Sequence, residues 1–166
     1  LDSAPSGSVR LMEAQLSDMN EEERAIARGK YTGFIFQSFQ LLMSLTAREN
    51  VMLPAELRGD EQAESQALEL LAKVGLDSRL NHYPNQLSGG EQQRVAIARA
   101  FASRPEIMFA DEPTGNLDTK TGSLVTELLF DLNREFGTTL VLVTHDAGLA
   151  GRCDRTFSIA SGRVVL

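Results

Sequence analysis

The 166-residue sequence has no tryptophan, two histidines and one cysteine. Cys153, standing alone, excludes an internal disulfide and has no companions at metal-ligand spacing. That usage suits a reducing compartment, and no secretory pattern opens the chain, so the cytoplasm is expected. No uninterrupted apolar run approaches the ~18 residues of a bilayer span, so direct membrane insertion is not expected. Positive charge is also scarce: 16 Lys and Arg stand against 23 Asp and Glu, a net charge of −7. This balance does not suit neutralising a phosphate backbone, and nucleic acid is not an expected partner. Repeats and low-complexity linkers are missing too. The hydrophobic share, 42%, suffices for one core, and one domain is expected.

Residues 8–12 read as a strand after the turn signal Pro5-Ser6-Gly7. Residues 17–28 open with cap-type residues and an acidic first turn, which predicts a helix ended by Gly29. Phe34-Ile35-Phe36 is a β-prone run closing on Gln37, and residues 46–59, interrupted by Pro54, read as a broken helical segment. Residues 60–74 place Ala63, Ala67, Leu68, Leu71 and Val74 at helical spacing with Gly75 as the stop, an amphipathic helix in a helical subdomain. The second half changes character. A strand at 107–110, a helix at 119–136 and a second apolar strand at 139–144 make a βαβ unit, whose parallel strands are expected to be covered on both faces. Residues 156–160 and 163–166 flank Ser161-Gly162 as a hairpin.

The first of the two parallel strands delivers Asp111 and Glu112 to its carboxyl end, and the second delivers His145 to the same edge. Ligands bind at that edge of open parallel sheets. Asp111 suits a hard Mg²⁺ ion, Glu112 can orient and deprotonate a water, and His145 can reach a terminal phosphate oxygen. The bland alternative is a turn at Asp111-Glu112 and a helix capped by Thr144 or Asp146. Leu87-Ser88-Gly89-Gly90-Glu91 precedes a helix with Val95, Ala98 and Phe101 as its buried stripe. Ser88 and Glu91 have capping-box spacing, yet two glycines weaken a first turn by up to about 1 kcal/mol each relative to alanine. Bare glycines would open the backbone N–H groups to an incoming phosphate. Gln37 alone is an ordinary edge glutamine, Asp118 an ordinary N-cap, and His82 a surface histidine.

One phosphate device is absent. Gly-x-x-x-x-Gly-Lys-Ser/Thr, whose amides and lysine cradle phosphates, occurs nowhere. The one Gly-Lys pair, Gly29-Lys30, is followed by Tyr31 and has Arg24 where the earlier glycine would stand.

In order, Gln37, residues 87–91, Asp111-Glu112, Gly115-Asn116-Leu117-Asp118 and His145 resemble the Q-loop, signature motif, Walker B, D-loop and switch histidine of an ABC ATPase. Residues 34–42 and 111–118 are similar to the branch of the lipoprotein-releasing and macrolide-exporting ATPases. Residues 129–154, with Leu-Asn-Arg-Glu, Gly-Thr-Thr-Leu and Arg-Cys-Asp-Arg, narrow the resemblance to one subgroup. The fold implied is α/β: a P-loop NTPase-like ABC nucleotide-binding domain, partial, with a parallel-sheet core and a helical subdomain. It would divide into the remainder of an N-terminal β region (1–36), the Q-loop, helical subdomain and signature helix (37–103), and the Walker B and switch-histidine core (104–166).

The resemblance implies that ATP and Mg²⁺ are the cofactors. Asp111 and Gln37 would bind Mg²⁺, Glu112 would be the general base, His145 would contact the γ-phosphate, and Gln37 would also contact the attacking water. Ser88, Gly89, Gly90 and Glu91 would bind ATP in trans across a head-to-tail homodimer, with Asp118 joining the two sites. Glu91 departs from the family's usual glutamine. The partner would be a transmembrane permease subunit of export or lipoprotein-release type, and the chain would sit peripherally on the inner face of a bacterial cytoplasmic membrane. Residues 1–7 resemble the segment just after the Walker A helix, so the cradle is expected upstream and the chain alone is expected to be inactive. The alternative is a non-catalytic module that presents the signature motif in trans. An ABC protein of DNA repair would insert long coiled-coil heptads between Gln37 and Ser88, which are not there.

Overall fold

The computed structural model describes residues 7–165; the turn signal at Pro5-Ser6 and residues 1–6 of the resemblance fall outside them. Residues 8–12 do not form one strand. They make the first arm and the turn of a small hairpin, β1 (Arg10–Leu11) with β2 (Ala14–Gln15), reversing at Met12 with a φ of 53°. A 3₁₀ turn at Leu16–Asp18 leads into α1 (Glu21–Tyr31). The helix starts later than the composition suggested because Asn20, not Ser17, makes the cap. Its side chain accepts from the Glu23 N–H at 3.0 Å while the Glu23 carboxylate accepts from the Asn20 N–H at 2.8 Å. Gly29 does not end α1. A glycine stops a helix by turning left-handed, and Gly29 has no positive φ. The helix runs through it, straight into β3 (Thr32–Phe36).

The segment after β3 leads to α2 (Ala47–Glu56), capped by a Thr46–Glu49 box. Pro54 lies inside α2 without breaking it, so the broken segment is one helix. Next comes α3 (Ala63–Lys73), which buries Ala63, Ala67, Leu70 and Leu71 but leaves Leu68 37% exposed. The apolar stripe is thus turned by part of a helical step from the one expected, with Leu70 replacing Leu68. Gly75, at φ 68°, follows as the expected stop. Two 3₁₀ turns, Asp77–Arg79 and Pro84–Gln86, connect to α4 (Gly89–Ala102). Helix α4 packs against α2, α3, β3 and the later α5, so it is buried nearly all round, including Val95, Ala98 and Phe101 at 0% exposure. Each large side chain held in this way contributes roughly 1.5–3 kcal/mol.

Strand β4 (Ile107–Asp111), helix α5 (Thr119–Phe136) and strand β5 (Thr139–Val143) form the expected βαβ unit. The sheet is parallel in the order β3-β4-β5, and its register aligns Phe36, Asp111 and Val143 at one edge. Ile35, Met108 and Ala110 are sealed on one face at 0–1% exposure. On the other, Phe34 stacks on Phe109 at 5.4 Å and on Phe36 at 5.8 Å. Strand β5 is not covered on both faces. Val141 is 40% and Val143 56% exposed, on the face opposite Leu140 and Leu142, which pack against the core. A short helix α6 (Ala147–Ala150) follows, capped by Asp146. The hairpin β6 (Ser158–Ala160) and β7 (Arg163–Val165) closes the chain, with positive φ at both Ser161 and Gly162, as a tight hairpin turn requires.

Candidate active site

Asp111 ends β4 with its side chain exposed, and the chain then turns sharply. Glu112 has a φ of 44°, a left-handed conformation that costs a non-glycine residue about 1 kcal/mol or more. What holds it there is the neighbouring strand, since the Glu112 N–H donates to the Val143 carbonyl at 2.9 Å. The twist aims the carboxylate at the end of β5. There Oε1 accepts from the His145 N–H at 2.9 Å and lies 2.6 Å from His145 Nδ1, while the Thr144 hydroxyl is 3.4 Å from Oε2. The hydrogen bond to Glu112, and then its charge, raise the His145 pKa above the ordinary histidine value. The imidazole stands largely in solvent, and with Nδ1 committed to Glu112 its Nε2 is the nitrogen left to meet a ligand.

Gln37, one residue past β3, is brought alongside. Its Nε2 donates to Asn116 Oδ1 at 3.2 Å, and Asn116 Nδ2 donates back to the Gln37 carbonyl at 2.9 Å. Gly115 is glycine for the same reason, since a Cβ there would lie 2.8 Å from Gln37 Nε2. The loop after Gln37 passes through positive φ at Phe39 and Gln40, whose carbonyls are held by Arg99 at 3.0 and 2.6 Å. Further along, the fully buried Asn50 amide bonds Leu42, Leu45 and Thr46 backbone groups. Asp118 does cap α5, its Oδ1 accepting from the Lys120 and Thr121 N–H groups at 3.1 Å. A groove of about 430 Å³ gathers Glu112, Thr114, Asp118, Thr144 and His145, whereas Gln37, Asp111 and Ser88 lie outside its lining.

At the start of α4, the Ser88 hydroxyl accepts from the Glu91 N–H at 3.3 Å and the Glu91 carboxylate accepts from the Ser88 N–H at 2.8 Å. The two glycines separate here. Gly90 is buried, and a Cβ on it would sit 2.4 Å from the Thr121 methyl on α5, so helix packing demands it. Gly89 has no such demand, because its Cβ would meet only ordinary contacts at 3.6 and 3.8 Å from Leu117 and Phe39. Openness to an incoming anion is thus a property of Gly89. Two turns' worth of structure is tied together by Gln93, fully buried on α4, whose amide donates to the Pro113 carbonyl at 2.6 Å.

Arg99, Asn50 and Gln93 carry this geometry and were not singled out from the sequence, and Asn116 entered there only as part of Gly115-Asn116-Leu117-Asp118, with no role of its own. Asn116 follows a glycine in a turn-forming stretch, and Asn50 and Gln93 are polar residues on otherwise apolar helix faces. Those were the available signals. Among the described residues no three His, Cys, Asp or Glu side chains cluster as a metal set. Asp111, a single exposed carboxylate at the end of β4, fits Mg²⁺, which takes one or two protein carboxylates and completes its shell with phosphate oxygens and water. The bare, capped start of α4 likewise fits a phosphate.

A parallel sheet presenting Asp111, Glu112 and His145 at its carboxyl edge, with a helical layer carrying Ser88-Gly89-Gly90, defines the ATP-binding cassette. The chain belongs to the ABC transporter ATP-binding family, whose model matches residues 1–115. The members of this family are ATPases of ABC type. Among its relatives, the ABC transporter ATP-binding protein YbbA of Escherichia coli is 57% identical over 99% of this chain and 73% of its own length, the subgroup to which residues 129–154 pointed. The lipoprotein-releasing ATP-binding protein LolD of Hydrogenovibrio crunogenus is 46% identical over 100% of this chain and 73% of its own. In structure the chain matches the dimeric ATP-binding cassette MJ0796 bound to ADP and Pi, with a TM-score of 0.86 at 43% identity, over 98% of this chain and 73% of that one. Among the described residues no helix is long and apolar enough to cross a membrane.

Proposed function

We propose that the chain supplies the hydrolysis and signature elements of a nucleotide-binding subunit that drives a membrane permease of export or lipoprotein-release type. The observation that carries this reading is the Glu112–His145 clasp, 2.6 Å long, beside Asp111 at the carboxyl edge of the sheet. Asp111 and Gln37 would hold Mg²⁺; bound Mg-ATP supplies the phosphoryl group and the charge neutralisation of its transfer. Glu112 Oε2 would accept the proton of a water, while Oε1 stays on His145 and fixes the carboxylate. His145 would present Nε2 to the terminal phosphate. Gln37, held by Asn116, would orient the water.

In a head-to-tail homodimer, Ser88, Gly89, Gly90 and Glu91 would face the partner's nucleotide, and Asp118 would lie between the two sites. The chain would divide as 1–36, 37–103 and 104–166, with residues 37–103 responding to the permease. A mostly apolar groove of about 860 Å³, lined by Ile26, Phe34, Phe36, Leu57 and Arg58 among others, starts one residue before Gln37 and suits a permease segment. On this reading the chain would sit on the inner face of a bacterial cytoplasmic membrane.

The second reading is a non-catalytic module that offers its signature motif to another subunit; the capped start of α4, with Gly89 open, is the observation that supports it. Nucleotide titration separates the two. The chain alone is expected to bind Mg-ATP weakly and not turn it over. The same chain joined behind the P-loop segment of an ABC relative is expected to bind and hydrolyse it. Micromolar binding by the chain alone contradicts the module reading, and no turnover after joining contradicts the catalytic one.

A further inference from the structure

Glu91 places a carboxylate inside the turn that is meant to receive a phosphate. Hydrogen bonding from the Ser88 backbone, with Arg79 as a further partner, lowers its pKa to about 2, so the group is anionic at any working pH. A negative charge in the first turn stabilises a helix by itself but repels a second anion arriving at the same N-terminus. The structure supplies a counter-charge. Arg79 Nε donates to Glu91 Oε1 at 3.0 Å, while Glu91 Oε2 keeps the Ser88 N–H at 2.8 Å.

Arg79 is delivered there by a fixed connection. Its N–H bonds the carbonyl of Leu76, which is 1% exposed, and its carbonyl accepts from the His82 N–H at 3.0 Å. The neighbouring carbonyls of Leu80 and His82 accept from the Arg48 and Ala47 N–H groups at 2.9 and 2.8 Å, at the start of α2. The backbone that carries Arg79 is therefore fixed within the loop between α3 and α4 and against the first turn of α2, and its guanidinium is bonded to Glu91.

We propose that Arg79 is a positioning residue for the signature helix: it neutralises Glu91 and leaves the N-terminus of α4 able to accept a nucleotide phosphate from the partner subunit. This rests on the proposed function, and it assigns no contact between Arg79 and nucleotide. A glutamine at position 91 could keep the capping bond to Ser88 without the charge, so it removes the need for Arg79. Charge and fold can thereby be separated.

The test uses the chain joined behind a P-loop segment, in a Glu112→Gln background to hold ATP, and reads the ATP concentration at half-maximal dimer formation by sedimentation. Arg79→Ala is expected to raise it about fivefold, the size of a helix-terminus charge effect. Arg79→Ala/Glu91→Gln is compared with Glu91→Gln alone, whatever value Glu91→Gln itself gives, and the two should agree within about twofold, because without the carboxylate Arg79 has no charge to neutralise. An Arg79→Ala protein that dimerises like the parent overturns the inference, as does a double variant that falls as far below Glu91→Gln as Arg79→Ala falls below the parent. If the parent forms no ATP-dependent dimer, the proposed function falls and takes this inference with it.

Discussion

Gly90→Ala tests whether the two signature glycines have different reasons to exist. A Cβ at Gly90 would lie 2.4 Å from Thr121 Cγ2, well inside any contact a real methyl makes. Thr121 is β-branched and stands in the first turn of α5, so its χ1 has few alternatives. The two helices must then separate, and overpacking of this kind costs about 1–3 kcal/mol, against which alanine's helix propensity returns up to about 1 kcal/mol. A net loss of about 1–2 kcal/mol is expected. Gly89→Ala, whose Cβ would meet only contacts of 3.6 and 3.8 Å, should be neutral or slightly stabilising. Urea denaturation of the 166-residue chain measures both, with Gly90→Ala/Thr121→Ala as the third arm to restore the room. Equal stability of Gly90→Ala and the parent, or a double variant no better than Gly90→Ala, would refute the packing argument.

Further outcomes follow from the same contacts. Glu112 raises the pKa of His145, so the pair's contribution to stability is full below the unfolded histidine value of about 6.5 and is lost as pH rises through the higher folded value. The unfolding midpoint should therefore decline across that window, and Glu112→Gln should flatten the decline and return the His145 titration, followed by NMR, to the ordinary range. A His145 titration unaffected by Glu112→Gln would contradict the clasp. Asn50→Ala removes a fully buried amide that satisfies Leu42, Leu45 and Thr46 backbone groups, and calorimetry should show a loss of about 2–4 kcal/mol. A loss under about 0.5 kcal/mol, the size of a surface substitution, would mean the loop after Gln37 is held otherwise.

Local rules foresaw the elements whose signals sit in one stretch of chain. The Ser88–Glu91 box, the Gly75 stop, the Ser161-Gly162 hairpin and the βαβ unit are of this kind. They failed where a competing local choice decided the outcome: Asn20 outbid Ser17 as a cap, Gly29 stayed helical, and Pro54 was absorbed by α2. The cover of β5 was misjudged because an unbroken apolar run does not say what packs on each face of the sheet. At the site, strand order brought Glu112 to His145 as expected, since both lie just past strand ends. The supports were not legible, because Asn116 meets Gln37 and Arg99 meets the Phe39-Gln40 turn across 79 and about 60 residues of sequence. Gly90 shows the converse, a motif residue whose demand comes from a helix that follows later.

The central claim is that Glu112 takes the proton in ATP hydrolysis. Phosphate release by the chain joined behind a P-loop segment, with and without Glu112→Gln, tests it most directly. Turnover should fall at least about a hundredfold, the usual size of a general-base contribution, while Mg-ATP binding stays within about threefold. Undiminished turnover in the Glu112→Gln protein would contradict the account.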